Sequence, residues 1–349
     1  MNDRKQQPGL MRTSGGRMSS RALVPVPLPH TDGPVVSRFP PKPVPARKGF
    51  NAAVGAGNSS VRDGIPGNVV VVQCASGGVG LTTLCALLSL ELTGRGCSCV
   101  LVDADFQKGG LDVLLGMEND QGLRFGSLDI PLGNVSGMAL YRQLPQWEGV
   151  RVLAFDPWDG DAPQPWLVEA VIRALAAVVD VVVVDAAYGS VLADAPALYQ
   201  APRVVLVELS VLGTIRSQAL LRTAYGAAGG AGSHGHEGHA SAQSGVDAPG
   251  GGLVGVGYGP MEVPAHTPHH MAIVGMRPRG APGRRGVLKQ EEASLYLGRE
   301  FVGTLHADAK LAGDVLEGLG IRNVPKTLRP AVGAVVDDIE RWLRGGDVL

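Results

Sequence analysis

Apolar residues along the chain fall into two kinds of pattern. Continuous β-branched runs occur at VVVVQC (69–74), CSCVLVD (97–103), VRVLAFD (150–156), VVVVDA (181–186), RVVLVEL (203–209), MAIVGM (271–276) and FVGTL (301–305). A run that stays apolar instead of alternating marks a strand covered on both faces, as in a parallel sheet between helical layers. Helical spacing between the runs predicts helices over Thr82–Leu92, Trp166–Val179, Leu212–Ala224 and Gln290–Leu297. The pattern predicts an α/β fold, a doubly wound and mostly parallel sheet flanked by helices, which binds its ligands at the carboxyl ends of the strands.

Near the C-terminus, Val332, Val335, Val336, Ile339, Trp342 and Leu343 recur at helical spacing. The polar side of this segment, Asp337, Asp338, Glu340, Arg341 and Arg344, nets −1. A helix lying in a lipid interface usually carries a basic face, so packing against the domain is expected instead.

Two stretches break the pattern. Residues 1–66 hold ten prolines and ten Lys/Arg against three Asp/Glu, a net of +7, and read as a disordered, extended basic tail. Residues 226–270 form a low-complexity Gly/His-rich insert with too little apolar mass to bury. It holds six of the eight histidines, His234, His236, His239, His266, His269 and His270. The spacing HGHEGH could suit a transition metal, but nothing in so glycine-rich a backbone fixes ligands in place, and a flexible insert is the simpler reading. Residues 67–349 then make one domain interrupted by the insert. The excess of glycine and proline is concentrated in these additions, and the whole-chain charge of −1 is the sum of the +7 tail and a −8 remainder.

No apolar stretch approaches the roughly 18 to 20 residues of a membrane span. The first residues, MNDRKQQPGLMRTSGG, contain no apolar leader segment. Cys74, Cys85, Cys97 and Cys99 lie in apolar surroundings without metal-ligand spacing and read as reduced thiols. A cytoplasmic protein is expected. Trp147, Trp158 and Trp166 cluster in PQWEGVRVLAFDPWDGDAPQPW, and anchoring in core or loops is expected over a partner-docking surface.

The first strand runs into Ala75-Ser76-Gly77-Gly78-Val79-Gly80-Leu81-Thr82-Thr83 and then a helix. Strand, glycine-rich turn and helix start form a phosphate cradle, in which backbone N–H groups and the helix N-terminus face an anion. A threonine there can supply a hydroxyl to Mg²⁺. The nicotinamide fingerprint GxGxxG is not met, because Thr83 stands at the third glycine's position. Asp103 and Asp185 end apolar strands, where aspartate is also a common turn or cap residue.

The combination of SGGVGLTT, VLVDADFQKGGLDVLLG and VVVVDAAYG resembles the ParA/MinD group of deviant P-loop ATPases, and within it the CpaE/TadZ branch with its Ssd-like septum-site-determining members. The resemblance spans about 68–224 and resumes near residue 271. It implies that Gly77, Gly78, Val79 and Gly80 supply phosphate-binding amides, with Thr82 on Mg²⁺ and Thr83 near the α-phosphate of ATP. It further implies that Asp103 and Asp105 place the attacking water and that Asp185 holds the metal through water. The implied partners are a second copy of the chain in a homodimer, and division-site or Tad-pilus/secretion-ATPase proteins. Membrane contact would be peripheral, through the tail or a partner, and DNA binding through the tail is the weakest option. The branch usually has a receiver-like domain before the ATPase-like one; the residues ahead of 67 read as the Pro-rich tail, so input through such a domain is not expected.

Two departures weigh on the chemistry. The deviant motif reads KGGxGKTT, so its signature lysine is replaced by Ser76 and its general P-loop lysine by Leu81. A hydrogen bond to a charged group contributes about 1.5–3 kcal/mol, so each loss costs about 10- to 100-fold in affinity. The transition state should suffer more, since those lysines stabilise the charge on the transferring phosphoryl group. Lys108, beside Asp105, is a candidate to compensate. The expectation is a positioning protein acting in septum-site determination or Tad-type pilus localisation through nucleotide-dependent dimerisation, with weak or absent hydrolysis. The alternative is a nucleotide-free pseudo-ATPase scaffold.

Overall fold

A computed structural model describes residues 65–128, 135–158, 161–225, 270–281 and 285–345. The expectations for the basic tail and for the Gly/His-rich insert, His270 excepted, lie outside the described residues.

The strands are β1 (Val69–Cys74), β2 (Cys99–Asp103), β3 (Gln146–Trp147), β4 (Val150–Leu153), β5 (Val181–Asp185), β6 (Arg203–Glu208), β7 (Met271–Met276) and β8 (Phe301–Leu305). The helices are α1 (Leu81–Gly94), α2 (Leu111–Leu115), α3 (Gly137–Gln143), α4 (Pro165–Ala176), α5 (Val191–Asp194), α6 (Val211–Tyr225), α7 (Gln290–Leu297), α8 (Ala309–Leu316) and α9 (Arg329–Leu343). One eight-stranded sheet runs in the order β3-β4-β2-β5-β1-β6-β7-β8. Every pair is parallel except β3 with β4. The expected doubly wound α/β architecture is therefore present, and all seven expected strands are found with ends moved by at most three residues. β3 has two residues and α2 and α5 one turn each, too short to leave a periodic signal.

Each central strand feeds both faces. Val70 and Val72 of β1 point into one core cluster and Val69 and Val71 into the other. On the first face α1 is apolar around most of its circumference, with Leu84, Cys85, Leu87, Leu88 and Leu92 buried. That fits a helix enclosed by sheet and further helices rather than one with a solvent face. Its outer cover is α9, whose Val332, Val335, Val336 and Ile339 are buried in the same cluster. The amphipathic C-terminal segment thus packs on the domain, as its acidic polar side predicted. Arg95, just past α1, bridges to α9 through Asp337 at 2.5 Å and Glu340 at 3.6 Å.

His270, at the foot of β7, is 2.5 Å from the Asp338 carboxylate and stacks on Trp342 of α9. The tryptophan cluster divides. Trp147 is buried and its indole N–H donates to the Ile321 carbonyl at 2.8 Å, whereas Trp158 is 85% exposed and anchors nothing in the core. Burial pushes the Cys74 thiol up to about 11 and the Cys99 thiol up to about 12, which leaves both unreactive near neutrality.

Burial rather than ion pairing holds α9. Ile339→Ala should lower the unfolding free energy by about 2–4 kcal/mol, while Asp337→Ala should change it by less than about 1 kcal/mol. Urea denaturation of the two variants separates these expectations.

Candidate functional site

The site is assembled by strand order. β5 lies between β1 and β2, so the carboxyl ends of three strands open at one edge of the sheet. The β2–β5 register sets Asp103 directly beside Asp185, and the β1–β5 register sets Asp185 beside Val72, three residues before the glycine-rich loop begins at Ala75. The three motifs, more than a hundred residues apart at their extremes, become neighbours.

Local chemistry shapes the loop. Gly78 and Gly80 have φ of 72° and 90°, in the left-handed region that side chains other than glycine rarely adopt. Gly77 is not left-handed; a methyl group there would meet the Tyr188 hydroxyl, the outer end of an exposed side chain. Val79 anchors the loop from below in the core. Gly80 is the N-cap of α1 and supplies no side-chain acceptor, so the first N–H groups of the helix point outward without a protein cap. Leu81 is buried in the core cluster and supplies no charge to the loop. In the general pattern G-x-x-x-x-G-K-[ST], Ala75 also replaces the first glycine.

The carboxylates carry an unusual electrostatic load. Asp103 and Asp185 are almost fully buried, and the Oδ2 atom of each has no protein partner. Burial first, and the Asp185 charge second, push the Asp103 carboxyl up to about 8, against hydrogen bonds from the N–H groups of Asp105, Phe155 and Leu111. Asp185 is also raised by burial, opposed by hydrogen bonds from the Thr82 hydroxyl and the Ala187 N–H. Asp105 is only half-buried. The Ser76 hydroxyl is buried with no partner as well. Orphaned oxygens beside uncapped N–H groups are what a phosphate with a hydrated divalent cation would satisfy. The residues present therefore fit Mg²⁺-nucleotide, apart from the two missing lysines.

All the expected site residues meet at this edge: the loop from Gly77 to Thr83, Asp103, Asp105 and Asp185. Two neighbours escape a reading of motifs. Tyr188 follows β5 by three residues and lies across Gly77, with the Lys108 ammonium 5.1 Å from its ring centroid and 3.5 Å from its hydroxyl. Arg279 follows β7, and its guanidinium lies 3.5 Å from where a side chain on Gly80 would begin. About 200 residues separate Arg279 from the loop, so no spacing could reveal it.

The raised Asp103 predicts a pH dependence. Its folded value of about 8 exceeds the unfolded value of about 4. The folded state therefore binds more protons in that window, and stability falls as pH rises from about 4 to about 8. In metal-free buffer, Asp103→Asn should melt above the parent at pH 8, with the advantage shrinking toward pH 5. Melting curves across that range check it, and a parallel offset at all pH values would contradict it.

No family model matches the chain. Among curated proteins, an uncharacterised protein of Mycobacterium tuberculosis is 35% identical over 99 residues, 28% of this chain and 27% of the relative. The septum site-determining protein MinD of Thermotoga maritima is 41% identical over 70 residues, 20% of this chain and 25% of the relative. The chain thus spans about a quarter of the length of the curated relatives it matches. Among solved structures, the cell division ATPase MinD of Pyrococcus furiosus aligns with a TM-score of 0.52 at 18% identity, covering 79% of this chain and 99% of that one. The septum site-determining protein MinD of Pyrococcus horikoshii, complexed with Mg-ADP, aligns at 0.50 and 15% identity, covering 78% and 96%. With three motif-bearing strands side by side and a left-handed glycine loop opening α1, the chain has the fold of the MinD/ParA-type P-loop ATPase superfamily.

Proposed function

We propose that this chain is a nucleotide-dependent positioning protein of the CpaE/Ssd-like kind. It binds Mg²⁺-ATP at the glycine loop, dimerises, and recruits a septum-placement or Tad-pilus assembly to its site of action. The observation that carries this reading is the meeting of the loop, Thr82 and two carboxylates, each with an orphaned Oδ2 atom, at one sheet edge. In it, the amides of Gly77, Gly78, Val79, Gly80, Thr82 and Thr83 hold phosphates. The Thr82 hydroxyl and Asp185 would hold the metal, and Asp103 and Asp105 would place the water. Bound Mg²⁺ would neutralise phosphate charge.

Turnover is a separate matter from binding. With Ser76 and Leu81 in place of lysines, the charge that builds on a transferring phosphoryl group has no cation within the loop. We read the chain as an association switch with slow or absent hydrolysis. The chain would act in the cytoplasm and reach the membrane through a partner. None of its described helices is long and apolar enough to cross a membrane. The position of Tyr188 over Gly77 favours a second reading, a nucleotide-free scaffold.

Thermal melting and sedimentation with Mg²⁺-ATP, ADP or no nucleotide decide between the two. Saturating ATP at about 100 times Kd should stabilise the fold by about 2.7 kcal/mol and shift the chain toward dimer. Asp185→Asn should abolish the dependence on Mg²⁺. Unchanged melting and mass at millimolar ATP would leave only the scaffold.

A further inference from the structure

We infer that Arg279 and Lys108 are the phosphate-binding cations of this chain, standing in from outside the loop for the two lysines missing within it. The inference rests on the nucleotide reading above and adds which residues discriminate a polyphosphate from a nucleoside monophosphate.

The geometry places one cation at each end of the loop. Arg279 lies in the segment Arg277-Pro278-Arg279 after β7, where Met276 is buried and Pro278 restricts the backbone as it leaves the strand. Its guanidinium hangs over Gly80, the residue that opens α1. At the other end, Lys108 rests on the Tyr188 ring, and the Tyr188 hydroxyl abuts Gly77. Lys108 is in turn held by the turn after β2, in which the Lys108 and Gly109 N–H groups donate to the Asp105 carbonyl at 3.2 and 2.8 Å.

The electrostatics point the same way. Arg279 and Lys108 are exposed, and neither forms an ion pair among the described residues, whereas Arg95, Arg124 and Arg341 are each matched with carboxylates. A helix N-terminus is a positive pole. A guanidinium set against that pole meets like-signed potential, which an anion between them relieves. The buried Ser76 hydroxyl, also without a partner, sits in the same loop. Cations at both ends suit a chain of phosphates rather than one. Arginine adds a planar fork that can bind phosphate oxygens in pairs, which lysine lacks.

The experiment measures the affinities of the full-length chain and of Arg279→Ala, Lys108→Ala, the double variant and Arg279→Lys for ATP, ADP and AMP in Mg²⁺, by calorimetry. Melting curves without nucleotide verify that each variant is folded. Each alanine substitution should weaken ATP about tenfold and the pair about a hundredfold, with AMP changed much less and Arg279→Lys intermediate. Variants that bind ATP within twofold of a binding-competent parent would overturn the inference and leave the nucleotide reading standing. Equal losses for AMP and ATP would also overturn it, since they would show support of the fold rather than contact with the phosphates. A parent that binds no ATP at millimolar concentration would overturn both.

Discussion

The parallel register that seats β5 between β1 and β2 is the constraint on which the site depends. It stacks Asp103 against Asp185 and holds both next to the strand that launches the glycine loop. Two carboxylates this close and this buried repel each other and resist ionisation, as the raised Asp103 and Asp185 show. The sheet tolerates the arrangement because hydrophobic burial on both faces of β1, β2 and β5 outweighs it. A hydrated cation and a phosphate at that edge would turn the strain into affinity.

Around this frame the charges have moved. Leu81 adds an apolar side chain to the core where a P-loop lysine would bring a cation, and Ser76 leaves a small buried hydroxyl without a partner. The positive groups near the loop instead come from the turn after β2 and the segment after β7. Tyr188 fills the space above Gly77. The same edge can therefore attract anions while lacking the built-in cations that phosphoryl transfer exploits, which separates binding from turnover.

Much of this was legible beforehand. Apolar runs such as VVVVQC and VVVVD are buried on both faces and declare themselves without reference to the rest of the chain. The glycines at 78 and 80 were legible because a left-handed backbone restricts residue choice. The burial of α9 followed from the sign of its polar face. What could not be read was whatever depends on tertiary approach. Arg279 reaches the loop only because β7 and β1 flank β6. Tyr188 matters through its hydroxyl's closeness to Gly77, and the antiparallel β3 is too short for any periodicity. The tryptophans teach the same lesson, since Trp147 is buried in the core with its indole N–H on the Ile321 carbonyl, far along the chain, while Trp158 is exposed.

The central claim, that the glycine loop holds a Mg²⁺-bound nucleotide, is tested most directly by amide hydrogen exchange of the loop with and without Mg²⁺-ATP. The account predicts protection confined mainly to the amides of residues 77–83 and to the turn after Asp185. Unaltered exchange there at millimolar nucleotide, in a chain that remains folded, would contradict it.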